Sequence, residues 1–249
     1  MTDSGAPAQG PSPGQPIFNI PGVVAGLVGL LAGVHVVRVA LLGAEADIWL
    51  VRAFAFIPIR ETHPAAFAWL FPGGAAAQLW SFVTYAFLHA DWAHLTINGL
   101  WLVAFGSPLA WRFGPLRFLA FSAVGAVAGA FVHMLVFPQA FVPMVGASAA
   151  ISAHMAGVSR FAFQRGGPLW GSHGPQSYRN PAPPLAEVVR DARVIAFLGV
   201  WLGINLLFGI GGAGSGIVSG AIAWEAHLGG FVAGLVLFPL FDPVPSRAA

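Results

Sequence analysis

The sequence contains no cysteine and no lysine, and only 8% of its 249 residues are charged. Without cysteine, disulfide bonds, thiolate nucleophiles and cysteine metal sites are all excluded. A soluble domain has roughly 25% charged residues, so this chain has too few to cover a surface that faces water. Its formal net charge of +2 is also too small for a nucleic-acid-binding surface.

Most of the chain is apolar rather than charged. Hydrophobic residues make up 57% of the chain and the mean hydropathy is +0.77, as expected for an integral membrane protein. A helix needs about 20 apolar residues to cross a bilayer. Six such runs predict an all-α protein with six membrane helices, at residues 20–42, 92–109, 118–137, 147–163, 194–210 and 221–241.

The remaining segments give the domain organisation. Residues 1–16 are rich in Pro, Gly and Ser and predict a disordered tail, followed by one membrane domain over 17–242 and a short C-terminal tail over 243–249. The segment 43–91 is too apolar for a free loop and too charged to span, so we expect it at the membrane interface. The Gly-rich stretch 211–220 predicts a flexible connection that could cap a cavity.

Arginine placement predicts the orientation. The connections after the third and fifth spans carry no basic residue, whereas those after the second and fourth do. By the positive-inside rule both termini are cytoplasmic, and the fourth and sixth spans begin at the outer face. We expect a multi-pass protein of the bacterial inner membrane. The arginines concerned are Arg112, Arg117, Arg160, Arg165, Arg179, Arg190 and Arg193.

Two polar residues begin the fourth and sixth spans. Ser148 follows a small-residue turn, and the N-terminus of a helix favours the negative charge that a nucleophile creates when it attacks a carbonyl. His227 is predicted at the same depth and could act as its base. Gly230 and Gly234 would let the sixth helix pack closely against the fourth. A purely structural role for the serine turn stays open on these residues alone.

The second span carries another polar pair. His94 and Asn98 are four residues apart and share one helix face, and both side chains can donate hydrogen bonds. Such residues are costly inside a membrane and mark function by default, although they could also simply tie helices together. Asp91 is predicted to cap this helix.

Together these motifs identify a known family. The chain from about 20 to 241 resembles the rhomboid intramembrane serine proteases, and three pieces occur in the family's order on spans two, four and six. These are His89-x4-His94-Leu95-x2-Asn98, Gly146-Ala147-Ser148 and Ala226-His227-Leu228-Gly229-Gly230-Phe231.

The resemblance implies a rhomboid-like bundle of six transmembrane helices with a long interfacial first loop. It implies a protease that hydrolyses a peptide bond in or next to the transmembrane segment of single-pass or other membrane-protein substrates, within the lipid bilayer. Ser148 would be the nucleophile and His227 its general base, without an acidic third member. No cofactor and no nucleic-acid partner are expected, and no metal, because no His, Asp or Glu cluster has metal-ligand spacing and His-Glu-x-x-His is absent. His94 and Asn98 would bind the oxyanion, and the supporting residues are His89, Gly146, Ala147 and Gly230.

Some positions depart from the family pattern. Ser152 stands where an aromatic residue often packs against the catalytic histidine, so the orientation of His227 needs another support. Ser81 replaces an arginine that anchors the first loop. Glu225 lies about 200° around the helix from His227 by helix geometry, which favours a place at the mouth of the site or a capping role. His154 is predicted to bond to a neighbouring helix.

Two other functions remain open. A catalytically inactive relative could bind membrane clients without cleaving them, although the presence of both Ser148 and His227 favours an enzyme. A small transporter or channel is disfavoured because the polar groups cluster towards one face and no inverted repeat is visible.

Overall fold

The protein is an all-α bundle, with a main helix at the place of each of the six apolar runs. The computed structural model describes residues 20–170, 175–210 and 223–245. The predicted N-terminal tail and the Gly-rich stretch 211–220 therefore lie outside the described residues. In chain order the helices are α1 (Gly22–Val36), α2 (Ala44–Phe54), α3 (Pro58–Thr62), α4 (Pro64–Phe67), α5 (Gly74–Thr84), α6 (Trp92–Trp101), α7 (Ser107–Phe113), α8 (Pro115–Val136), α9 (Ser148–Ser159), α10 (Leu185–Val188), α11 (Ala192–Ile210) and α12 (Trp224–Phe241).

Among the described helices, three are long and apolar enough to cross a membrane on their own: Gly22–Leu41, Pro115–Val136 and Trp224–Phe241. The second predicted span is not one regular helix, because a π-helical turn over Leu102–Gly106 separates α6 from α7. Pro108 explains the interruption. It has no N–H for the helix ladder, and its ring would clash with the carbonyl four residues earlier.

Helix α9 is shorter than predicted and lies at the centre. Its twelve residues extend over about 18 Å at 1.5 Å per residue, well short of the roughly 30 Å hydrocarbon core. All residues from Ala149 to Ser159 are buried, and α8 and α12 both pack against this helix. Since α9 cannot cross the bilayer alone, its N-terminus lies inside the bundle.

Glycine makes this close packing possible. A Cβ on Gly230 of α12 would overlap the carbonyl oxygen of Ala149, and one on Gly234 would lie 2.5 Å from the carbonyl oxygen of Ala153. The predicted close approach of the fourth and sixth helices is therefore confirmed. On the other side of α9, a Cβ on Gly129 of α8 would overlap the Ala149 side chain.

We expect Gly230→Ala to destabilise the bundle, because the new methyl group must push α12 away from the backbone of α9. The expected loss in unfolding free energy is about 3 kcal/mol, the upper end of the usual cost of overpacking. Unfolding of the purified protein in detergent measures it. The matched control is Gly203→Ala on α11, whose Cβ meets no atom within 4 Å. Equal stability of both variants would show that the α9–α12 contact is loose.

The long first loop is helical and held by side-chain bonds to backbone carbonyls. Trp80 Nε1 donates to Ala53 O (2.8 Å), and Thr84 Oγ1 donates to Phe54 O (2.7 Å). Arg60 also holds this loop, because its guanidinium donates to the carbonyl oxygens of Arg52 and Ala55. Ser81 therefore does not leave the loop without an anchor.

At the C-terminal end of α12, a buried arginine holds several segments of the bundle together. Arg112 forms a two-pronged ion pair with Asp242 (2.9 and 2.7 Å) and donates to the carbonyl oxygens of Tyr178 and Asn180. This network ties α7, the end of α12 and the connection between α9 and α11 together. It lies about 27 Å from the start of α12, the length of that 18-residue helix.

Candidate active site

The turn before α9 is built around a glycine. Gly146 has φ +119°, a conformation that side chains rarely adopt, and its N–H donates to Tyr85 O (3.1 Å). A Cβ at this position would also lie 2.7 Å from Nε2 of His94. The small residues Gly146 and Ala147 thus bring the chain close to α6 and start the helix at Ser148.

Ser148 and His227 form a direct hydrogen bond. Ser148 Oγ lies 2.7 Å from His227 Nε2, although the two residues are 79 positions apart in the chain. Ser148 is the first residue of α9 and His227 lies in the first turn of α12. The contact is thus made between the N-terminal ends of two helices that pack against each other.

A third helix contacts the histidine from its other side. Asn205 Oδ1 of α11 lies 2.5 Å from His227 Nδ1, and Asn205 Nδ2 donates to Trp201 O (2.8 Å). Trp201 also stacks on Phe231 of α12, with ring centres 4.6 Å apart. Asn205 was not among the site residues predicted from the sequence, although it is the single polar side chain in the apolar run 194–210. The additional support expected for His227 comes from this residue.

Ser152 has a local role. Its Oγ donates to the carbonyl oxygen of Ser148 (2.8 Å), one turn earlier in the same helix. The hydroxyl is therefore used within α9 and not on His227, whose ring contacts Ser148 and Asn205.

His94 points its Nε2 towards the same turn. The Ala90 N–H donates to His94 Nδ1 (3.4 Å), which makes Nδ1 an acceptor and leaves the proton on Nε2. A Cβ on Gly146 would lie 2.7 Å from that Nε2 and 3.8 Å from Ser148 Oγ. The helix start is fixed by Asp91, whose carboxylate accepts the His94 N–H (2.7 Å), so the predicted cap is confirmed.

Asn98 lies one turn further along α6 and is buried. Its Nδ2 donates to His94 O (2.9 Å), which uses one of the two amide protons. Oδ1 is buried and forms no hydrogen bond within the described residues. The amide thus keeps one donor and one acceptor for a further partner.

His89 packs behind this group. The ring is fully buried and meets the His94 ring edge to face, with centres 5.1 Å apart. Burial lowers the pKa of His89 to about 3, and the neighbouring His94 contributes in the same direction. The His89 carbonyl accepts from Arg38 (2.8 Å), which also pairs with Asp47. The backbone carbonyl of His89, rather than its ring, thus links the start of α6 to the segment that follows α1.

The other polar residues lie apart from the Ser148–His227 pair. Glu225 is buried and pairs with His133 of α8 (2.5 Å), so the prediction that it lies at the mouth of the site or caps the helix is wrong. It faces α8 because residues two apart point to different sides of a helix. His154 Nε2 lies 2.8 Å from Ser122 Oγ of α8, as the predicted helix–helix bond requires.

This arrangement supplies the groups for acyl transfer. Ser148 has a base within hydrogen-bond distance, and the first-turn N–H groups of a helix are free of intrahelical partners. His94 adds a donor beside them. Within 20–170, 175–210 and 223–245, no cluster of three or more His, Asp or Glu side chains is arranged to hold a metal ion.

Comparison with known proteins agrees with the motifs. The sequence model of the Rhomboid domain matches residues 76–242, which is more than half of the chain. A Caenorhabditis elegans protein named Rhomboid-related protein 1 is 32% identical over 121 residues, covering 45% of this chain and 32% of that protein. The matched region is thus about a third of that relative's length. With its all-α bundle and the three motifs in family order, the chain belongs to the rhomboid family.

Proposed function

We propose that this protein is an intramembrane serine protease that cleaves membrane-protein substrates in or next to a transmembrane segment. The observation that carries the proposal is the 2.7 Å hydrogen bond between Ser148 Oγ and His227 Nε2 at the N-terminus of a buried helix. A hydrogen-bonded serine and histidine also occur at Ser122 and His154 in mid-helix, so it is the helix N-terminus at Ser148 that favours catalysis. A nucleophile needs its base and an environment that stabilises an oxyanion.

The reaction follows from these groups. Ser148 Oγ attacks the substrate carbonyl while its proton moves to His227 Nε2, and a tetrahedral oxyanion forms. His227 then gives the proton to the leaving amine, so the peptide bond breaks and an acyl ester remains on Ser148. Water attacks the ester and transfers a proton to His227. Collapse of this second intermediate returns a proton to Ser148 and releases the acid.

Three groups would stabilise the oxyanion. The Ser148 N–H lies at the positive end of α9, and His94 presents a protonated Nε2 near Gly146. Asn98 would supply the amide proton that its bond to His94 O leaves unused. Each such donor contributes about 2.7–4 kcal/mol to transition-state stability in other hydrolases.

Substrate entry requires an opening between helices. A peptide bond in a helix is protected by its own hydrogen bonds, so the substrate must unwind locally. Helix α11 is the candidate gate, because Val194 is its one buried residue over the described range 192–207. The first loop, 43–91, and the stretch 211–220, which lies outside the described residues, are the other candidates.

The arginines support a location in the membrane with both termini in the cytoplasm. Arg112 and Arg160 lie with Asp242 at the C-terminal end of α12, and Ser148 meets the opposite end of that helix. Under the positive-inside rule the site faces the outer side. We propose the bacterial inner membrane as the compartment.

The test uses the wild-type protein in liposomes with a panel of single-pass membrane substrates. We expect cleavage within or beside the transmembrane segment, located by mass spectrometry of the products. A serine-reactive fluorophosphonate should stop cleavage and add its mass to the peptide that carries Ser148. Stable substrate binding without cleavage or labelling would instead support a client-binding protein, and cleavage that survives complete labelling would exclude Ser148 as the nucleophile.

A further inference from the structure

We infer that Asn205 is a third member of the site, a positioning residue that holds His227 in the tautomer with a free Nε2. This inference rests on the proposed function and adds a neutral partner on α11 to the Ser148–His227 pair. The observation behind it is the contact between Asn205 Oδ1 and His227 Nδ1 at 2.5 Å.

The direction of the bond follows from the amide's second contact. Asn205 Nδ2 donates to Trp201 O (2.8 Å), one turn earlier on α11. That bond fixes the amide plane with Oδ1 towards the imidazole, because the reversed amide would place Oδ1 against the Trp201 carbonyl oxygen. An oxygen acceptor facing Nδ1 requires a proton on Nδ1.

The tautomer decides whether His227 can act as a base. A neutral imidazole carries one proton, so a proton on Nδ1 leaves the Nε2 lone pair free to accept from Ser148 Oγ. The other tautomer would place a lone pair against Asn205 Oδ1, which is unfavourable, and would make Nε2 a donor to Ser148 Oγ, so that the imidazole could not accept the serine proton. Asn205 also stabilises the imidazolium that forms during the reaction, as the carboxylate does in serine protease triads.

Other groups near His227 do not replace this contact. In the described part of the chain, the hydrogen-bond partners of the His227 ring are Ser148 and Asn205. Glu225 on the same helix is paired with His133 of α8. His94 of α6 has its Nδ1 occupied by Ala90.

The test compares two substitutions of similar size. Asn205→Leu removes the acceptor and should lower kcat by about 10–100-fold with KM changed less than threefold, since the loss falls on the transition state. Asn205→Asp keeps an oxygen acceptor and should retain at least a third of wild-type kcat. Its charge should move the acidic limb of the pH–rate profile to higher pH, because a carboxylate stabilises the protonated, inactive imidazole.

Two controls separate positioning from packing. Ile204→Ala changes a half-exposed neighbour on α11 and should leave kcat and the pH profile unchanged. Trp201→Leu removes the stacking on Phe231 and should lower stability without moving the pH profile. Equal kcat in Asn205→Leu and wild type would overturn the inference. Equal losses in Asn205→Leu, Asn205→Asp and Trp201→Leu would overturn it too, since they would reflect α11 packing alone.

Two measurements need no substrate and keep this inference separate from the proposed function. The fluorophosphonate reaction at Ser148 also requires the base. Its rate should therefore fall about 10–100-fold in Asn205→Leu, by the same factor as kcat. Nitrogen-15 spectra of histidine-labelled protein, with His227 assigned by difference from His227→Gln, report the tautomer directly. A proton on Nε2 in the wild-type protein would overturn the inference whether or not any substrate is cleaved.

Discussion

Replacing Ser148 by alanine is expected to reduce cleavage by on the order of 10⁴-fold or more, to the background of the assay, because no other group can form the acyl intermediate. Fluorophosphonate labelling should disappear at the same time. Ser148 Oγ contributes one hydrogen bond, to His227, so the fold should survive its loss. The measurement is the initial cleavage rate in liposomes, with the unfolding transition recorded for the same preparation.

The bundle contains its own matched control. Ser122 is also hydrogen-bonded to a buried histidine, His154, at 2.8 Å. Its Oγ lies 2.7 Å from Phe118 O, an acceptor on its own helix, and Ser122 lies in mid-helix without a helix N-terminus beside it. Ser122→Ala should therefore retain cleavage and labelling. A Ser148→Ala protein that still cleaves would contradict the assignment, as would a Ser122→Ala protein that is folded but inactive.

The six-helix fold could be predicted from the sequence, because each membrane helix appears as a run of high hydropathy. Runs of about 20 apolar residues are visible without any knowledge of contacts, and Asp91 at a helix start has a local preference that needs no tertiary partner. The family followed from the order of three short motifs. The shortness of α9 was not visible, because buried and lipid-facing residues are both apolar and hydropathy does not separate them.

Pairing across helices was harder to predict. Similar depth for Ser148 and His227 followed from helix order and orientation, and the glycines at 230 and 234 indicated close packing. Depth does not fix which way a side chain turns around its helix. Glu225 was therefore misplaced, since its partner His133 lies on a helix 92 residues away in the chain.

Asn205 is a residue that stands out in the sequence but whose partner could not be predicted. One asparagine in an apolar run is a visible anomaly, yet nothing local tells whether it faces lipid, its own backbone or a neighbouring helix. Its double contact, with Trp201 O and His227 Nδ1, depends on how α11 docks on α12. The contribution of Arg60 to holding the first loop was not visible for a similar reason, because its carbonyl partners, Arg52 and Ala55, lie on another turn of the loop.

Replacing His227 by alanine is expected to lower kcat by about 10³–10⁴-fold, since Ser148 loses the group that takes its proton. Fluorophosphonate labelling should slow by a similar factor, because that reaction also needs a deprotonated serine. The control is His154→Gln, which changes the histidine of the Ser122 pair. It should retain cleavage in the folded protein, although the loss of a buried helix–helix bond will lower stability.

The single variant His227→Ala gives the sharpest reading of the pair, because Ser148→Ala alone already reaches the background of the assay and a double variant could not be measurably slower. If His227→Ala kept most of the wild-type kcat, the 2.7 Å contact would be structural and Ser148 would need another base. His94, whose Nε2 approaches the same turn, would then be the residue to change next.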